Sequence, residues 1–354
     1  MTSDPATILP PLFACLETLG VIARHLDPQT FGEVMEAAGT PDAALRAAYS
    51  DFKPSDASDD VGKRLVAASD EALSAFAELR AALDGGDIRS VFKALRHLPR
   101  AQEALHPLAS MIPAVNGFFL DSSLRSDADV LARSMQPPRE GVTGVMHFNN
   151  EPRTRGGFSL YVPETYTPDR AWPLVVALHG GSGHGRGFLW SWLRDARSFG
   201  AILVAPTSAG NSLGSTWALM GDDNDTPNLA RIVEQVSAQW NVDSDRRLLT
   251  GMSDGGTFCY VSALDSGSPF THLAPGSATF HPMLILMADA QRMQGLPIYL
   301  VHGALDWMFP VEVARQAQRA LSAAGANVTY REIDDLAHTY PREINAPLLD
   351  WLKA

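Results

Sequence analysis

Cysteine is nearly absent from this 354-residue chain; only Cys15 and Cys259 occur, far apart. Two such residues exclude a disulfide framework and a cysteine-based zinc site. No H-E-x-x-H and no Cys/His cluster with zinc spacing is present, so no metal is expected. Positive charge is also scarce. The formal net charge of −12 argues against nucleic acid or anionic membrane as a partner. No stretch of about 18 wholly apolar residues occurs, which predicts no membrane span. The start, Met1-Thr2-Ser3-Asp4-Pro5, carries an acid and no basic run, and Pro5, Pro10 and Pro11 interrupt the apolar residues there. That predicts no secretory signal and a cytoplasmic protein. Tryptophan is missing from the first 171 residues, and all seven lie from Trp172 onward.

What is present is most informative at Gly251-Met252-Ser253-Asp254-Gly255. This G-x-S-x-G follows an apolar run, Leu248-Leu249-Thr250, and precedes a helix-compatible one, Thr257 to Leu264. Strand, tight turn and helix form the context of a nucleophile elbow, which exposes a serine at a strand's end. Small flanking residues are needed where strand and helix backbones pass close together. A second copy, Gly210-Asn211-Ser212-Leu213-Gly214, lacks a following helix, so Ser212 reads as a loop serine.

A hydroxyl at its free pKa is a poor nucleophile and needs a base, itself oriented by an acid. His338 follows the strand-like run Asn327 to Ile333 through a short loop. Asp306 follows the apolar run Pro297 to His302. Asp334 and Asp335 are rivals for the acid, but both are close sequence neighbours of His338. The order Ser253, Asp306, His338 is that of an α/β-hydrolase. An oxyanion needs preorganised N–H donors. One is expected at Asp254, just after the nucleophile, and one at Gly181, in the loop His179-Gly180-Gly181-Ser182-Gly183 after the run Leu174 to Leu178. Neither the P-loop nor the dinucleotide glycine pattern fits that loop, so no cofactor is expected.

These motifs resemble those of α/β-hydrolase serine esterases, of the phospholipase/carboxylesterase and polyhydroxybutyrate-depolymerase or feruloyl-esterase-like branch, over residues 142–354. Leu178-His179-Gly180-Gly181, Thr250 to Gly256, Val301 to Asp306 and His338 carry the resemblance. It implies carboxylic ester hydrolysis through an acyl-enzyme, with a small or medium ester as substrate. The alternatives are a thioesterase, peptidase or acyltransferase using the same triad, or a non-catalytic interaction protein acting through its helical domain.

The chain is expected to divide near Ser134 to Gly141, where Pro137-Pro138 break any helix. Residues 1–135 read as a helical domain. Asp27-Pro28 and Thr40-Pro41 mark helix starts. Leu65, Ala72, Leu73, Phe76, Leu79 and Leu83 form one stripe of an amphipathic helix. Two roles are open to this domain: a lid over the site, or an assembly element supporting a homo-oligomer. Residues 136–354 alternate strand and helix patterns, which predicts a mostly parallel sheet with helices on both faces and an antiparallel hairpin at one edge. Trp217 and Trp307 are candidate substrate-pocket residues, and His179 and His302 read as structural.

Overall fold

Aspartates set where several N-terminal helices begin. Asp4 accepts from the Ala6 N–H and opens α1 (Pro5–Arg24), with Pro5 in the first turn, where a missing N–H costs nothing. The remaining helices of this region are α2 (Phe31–Ala38), α3 (Pro41–Asp51), α4 (Asp60–Gly85), α5 (Ile88–Leu95), α6 (His97–Leu105), α7 (Pro113–Phe118) and α8 (Ala128–Ser134). The structure is a computed structural model that describes residues 4–52, 59–210, 217, 219 and 223–354. It separates into two units, Met1–Pro137 and Pro138–Ala354.

In the first unit α4 is the central element. Asp59 caps its start, and Gly86, at φ +62°, ends it in the left-handed conformation that glycine tolerates. Leu65, Ala72, Phe76 and Leu79 are fully buried on one face. Leu83 is 40% exposed, which removes it from the predicted stripe. It lies in the last turn before Gly86, on a side of the helix turned to water, while its neighbour Ala82 is buried. Asp42 of α3 is buried and accepts twice from the Arg80 guanidinium of α4, which ties the two helices together.

Two expectations are corrected here. Pro10 and Pro11 do not interrupt the first apolar segment, because α1 runs straight through them. Two missing donors near the start are tolerated because seven apolar side chains, from Ile8 to Ile22, bury one face against α3 and α4. By length and composition alone this helix is apolar enough to cross a membrane, although Glu17 and two threonines keep it from being wholly apolar. Asp27-Pro28 opens a turn and not a helix: Asp27 accepts from Gln29 N–H, and α2 begins only at Phe31.

The second unit is built on one eight-stranded sheet. Its strands are β1 (Gly144–Phe148), β2 (Phe158–Val162), β3 (Trp172–Leu178), β4 (Ile202–Pro206), β5 (Val242–Met252), β6 (His272–Gly276), β7 (Pro297–Gly303) and β8 (Asn327–Ile333). Their order across the sheet is β1-β2-β4-β3-β5-β6-β7-β8. β1 pairs antiparallel with β2, and β2 with β4; every pairing from β4 to β8 is parallel. The central strands β3 and β4 are buried along their whole length, as parallel strands covered on both faces must be. β8 closes the other edge with charge: Arg315 pairs with its Glu332. The connecting helices are α9 (Gly185–Phe188), α10 (Leu193–Phe199), α11 (Asp225–Gln239), α12 (Asp254–Ala263), α13 (Met283–Met287), α14 (Ala290–Met293), α15 (Val311–Ala323) and α16 (Asn345–Lys353). Parallel pairing from β4 onward brings the carboxyl ends of β3, β5, β7 and β8 to one edge, where ligands of open α/β sheets bind.

Truncating Phe76 to alanine is expected to destabilise the protein by about 3–5 kcal/mol, through lost burial and a residual cavity. Leu83→Ala is expected to cost under about 0.5 kcal/mol, because that side chain remains largely in water. Urea denaturation of both variants checks the contrast; equal losses would place Leu83 back on the buried stripe.

Candidate active site

Ser253 sits between the end of β5 and the start of α12 at φ 56°, ψ −120°, a conformation that a side-chain-bearing residue adopts only when its surroundings enforce it. The enforcing contacts are backbone contacts. Ser253 N–H donates to Gly276 O at 3.0 Å, and Thr257 N–H donates to Ser253 O at 2.8 Å. A Cβ on Gly251 would stand 2.5 Å from the Gly255 carbonyl carbon. A Cβ on Gly255 would stand 2.5 Å from His179 O and 2.6 Å from Leu178 O. The small residues of the motif thus let β3, β5 and α12 pass at backbone contact. The rival Ser212 lies outside the described residues.

His338 reaches this serine from the loop after β8. Its Nε2 is 3.1 Å from Ser253 Oγ, and its Nδ1 is 2.9 Å from both carboxylate oxygens of Asp306. A carboxylate only accepts, so Nδ1 carries the proton and Nε2 presents its lone pair to the serine hydroxyl. Asp306 Oδ1 also accepts from the Met308 and Phe309 N–H groups, at 3.0 and 2.8 Å. Burial alone would raise the Asp306 pKa. The hydrogen bonds from His338 and Phe309 outweigh burial and hold the carboxyl below its usual range. The loops after β7 and β8 are tied together, since Leu305 N–H donates to Leu336 O and Ala304 N–H to Ile333 O. Asp334 and Asp335 are exposed in the same β8 loop, and neither is the carboxylate that holds His338.

The aromatic residues divide. Trp307 and Phe309 both turn ring edges toward His338, at centroid distances of 6.1 and 5.2 Å. Phe309 was not anticipated from the sequence; the signal available was an aromatic residue three positions after the acid, in a loop that must fold around it. Trp217 is 2% exposed, stacks on Phe258, and donates its indole N–H to His179 O at 2.7 Å. Its ring is committed to the core, so its assignment to a substrate pocket is corrected to packing.

The loop after β3 approaches the nucleophile at Gly180, where a Cβ would be 3.4 Å from that of Ser253. Gly181 follows and is exposed. The Asp254 amide opens α12, at the positive end of that helix. His184 caps α9 by accepting from Arg186 N–H. His179 is buried between two backbone groups: its ring lies 2.7 Å from Gly180 O at Nδ1 and 3.2 Å from Ser208 N at Nε2. A carbonyl only accepts and an amide only donates, so the ring is neutral with its proton on Nδ1. Burial pushes its pKa down to about 3, consistent with that geometry. His302, buried on β7, lies 2.8 Å from Phe309 O and 3.4 Å from Asp306 Oδ2. Among the described residues, no group of three or more His, Cys, Asp or Glu side chains is arranged to hold a metal ion.

Residues 221–353 match the family described as Phospholipase/Carboxylesterase. Over these residues the second unit is similar to phospholipases and carboxylesterases. Its esterase relatives include a bifunctional acetylxylan esterase/xylanase of Neocallimastix patriciarum, 30% identical over 156 residues, which are 42% of this chain and 21% of that protein. A probable feruloyl esterase C of Aspergillus terreus is 33% identical over 120 residues, 32% of this chain and 43% of that one. The chain therefore spans less than half the length of these curated relatives. Among solved structures, the fluorophosphonate-binding serine hydrolase F of Staphylococcus aureus superposes on 59% of this chain and 97% of its own, with 14% identity and a TM-score of 0.46.

His179 gives this unit a pH signature. An unfolded chain takes up a proton on this ring below about 6.5, whereas the folded ring stays neutral to about 3. Stability is thus complete above pH 6.5 and is lost as pH falls through that window, by up to about 1.4 kcal/mol per pH unit. Urea denaturation at pH 6.5, 5.5 and 4.5 is expected to show a steeper loss for the native protein than for His179→Gln. Parallel pH dependences would contradict the neutral, buried ring.

Proposed function

We propose that this protein hydrolyses carboxylic esters of small or medium size through an acyl-enzyme on Ser253. The observation that carries the reading is the unbroken hydrogen-bond chain from Ser253 Oγ through both nitrogens of His338 to Asp306. The family match supports the ester as substrate class.

In this reading Ser253 Oγ attacks the ester carbonyl carbon while its proton moves to His338 Nε2. The carbonyl π pair becomes an oxyanion, held by the amides of Gly181 and Asp254. Asp306 keeps the Nδ1–H tautomer and stabilises the imidazolium that forms. The intermediate collapses as His338 Nε2–H protonates the departing alkoxide. Water then repeats the sequence on the acyl-enzyme, with His338 as base. Two aromatic rings, Trp307 and Phe309, border the base and form an apolar wall beside the reacting carbonyl. They exclude water from the imidazole and favour an apolar group on the ester.

Ser253→Ala is expected to abolish turnover of p-nitrophenyl acetate and labelling by a fluorophosphonate, with Ser212→Ala keeping both. A dead Ser212 variant would transfer the nucleophile to the other motif. Asp306→Asn is expected to lower kcat by about 10⁴, because the asparagine amide stabilises the wrong histidine tautomer. Asp334→Asn and Asp335→Asn should leave it near normal. A screen of p-nitrophenyl esters of increasing acyl length, beside aryl esters and thioesters, measures the substrate class. Uniform failure with esters and turnover of thioesters alone would replace the proposed chemistry. Dialysis against EDTA should leave turnover unchanged, and a loss restored by a divalent ion would contradict a mechanism carried by side chains alone.

A further inference from the structure

The loop after β3 contains three glycines in five residues, His179-Gly180-Gly181-Ser182-Gly183, and glycine carries the largest conformational entropy of any residue. An oxyanion donor on such a loop is useful only if its N–H is held still. Three of the loop's carbonyls are held, two of them by side chains from other parts of the fold and one within the loop itself. Trp217 Nε1–H donates to His179 O at 2.7 Å. His179 Nδ1–H donates to Gly180 O at 2.7 Å, and Gly183 N–H donates to the same oxygen at 3.0 Å. Arg155 Nη1 donates to Gly183 O at 2.9 Å, and its Nη2 donates to Ser208 Oγ. Ser208 N–H closes the ring of contacts by donating to His179 Nε2.

A trans peptide sets its N–H opposite its carbonyl. Holding His179 O and Gly180 O therefore also sets the direction of the Gly180 and Gly181 N–H groups. Residue 180 rests against Ser253, with room for no more than van der Waals contact between them. We infer that Arg155, His179 and Trp217 are positioning residues, which hold these carbonyls on the core side and so keep the Gly181 N–H aimed at the oxyanion. This rests on the reading of Ser253 as nucleophile. Arg155 is suited to the task because its planar fork spans two acceptors, Gly183 O and Ser208 Oγ, on two different loops. Its guanidinium is half-buried, and Nε has no hydrogen-bond partner among the described residues, so its contacts are concentrated on those two loops.

The test uses the full chain with Arg155→Met and Trp217→Phe. The second removes the indole donor and leaves an aromatic ring against Phe258. Turnover is measured per active site titrated with a fluorophosphonate. Each variant is expected to lose about 10–100-fold in kcat, less than the loss of a donor itself, with KM within about threefold. The Ki of phenylboronic acid, which forms a tetrahedral adduct on the serine, is expected to rise by the same factor as kcat falls. The acid limb of the pH–rate profile should not move, because the His338–Asp306 pair is untouched. A merely structural role would lower the number of titratable sites and leave turnover per site and the boronate Ki unchanged; that result overturns the inference. If Arg155→Met does not fold, Trp217→Phe and His179→Asn carry the same decision. Failure of the native protein to react with the fluorophosphonate or to hydrolyse p-nitrophenyl acetate would instead remove the nucleophile reading, and with it this inference.

Discussion

Three backbones meet within van der Waals contact at Gly251 and Gly255, and the rest of the site hangs on that meeting. The end of β5 presses on the start of α12, and α12 presses on the carbonyls that end β3. No side chain fits between them. This contact forces Ser253 into its positive φ and lifts its hydroxyl toward the strands' carboxyl edge. It also fixes the distance from the nucleophile to the loop after β3. A single methyl at either glycine would push these backbones apart and move the serine away from that loop. The strain is local and is offset by the buried sheet on which it rests, whose central strands expose nothing to water.

Around that contact the polar groups are saturated in a particular direction. Asp306 takes hydrogen bonds from two backbone amides and from His338, which keep it ionised despite its burial. His338 is thereby committed to one tautomer. His179 is committed to one as well, by a carbonyl on one side and an amide on the other. The two histidines share chemistry and differ in what faces them. His338 turns a lone pair toward the hydroxyl of Ser253, and His179 turns its nitrogens toward a backbone carbonyl and a backbone amide. Environment, more than residue type, separates a base from a structural pin.

Much of this was legible in the chain itself because each of the three residues comes after an apolar run, immediately for Ser253 and after a short loop for Asp306 and His338. Ser253, Asp306 and His338 each come after a strand pattern, and parallel pairing brings strand ends together without further instruction. The edge hairpin was legible too, and so was helix α12, whose apolar run follows the glycines of the serine motif. The misreadings have physical causes. Proline is a helix breaker when judged locally, yet α1 passes through Pro10 and Pro11 because its buried face holds it. Leu83 has the right spacing for the α4 stripe, but in the last turn of the helix its side chain faces water. Asp27 precedes a proline and still makes a turn, because its side chain satisfies an amide two residues on.

Residue identity at a strand end, the spacing of small residues around a serine and the order of three reacting groups are local properties, and the sequence by itself determined them. Which aromatic rings border the base was decided only by tertiary structure. Trp217 and Trp307 look alike in the chain, each a tryptophan in a loop beside a motif. Folding buries one beneath a glycine loop and turns the other's edge to His338. Arg155 gives no local sign of its role either, since its partners lie 28 and 53 positions away. Hydrogen bonds between loops depend on how those loops pack in space, and packing in space follows from the whole chain's burial and not from any short run of it.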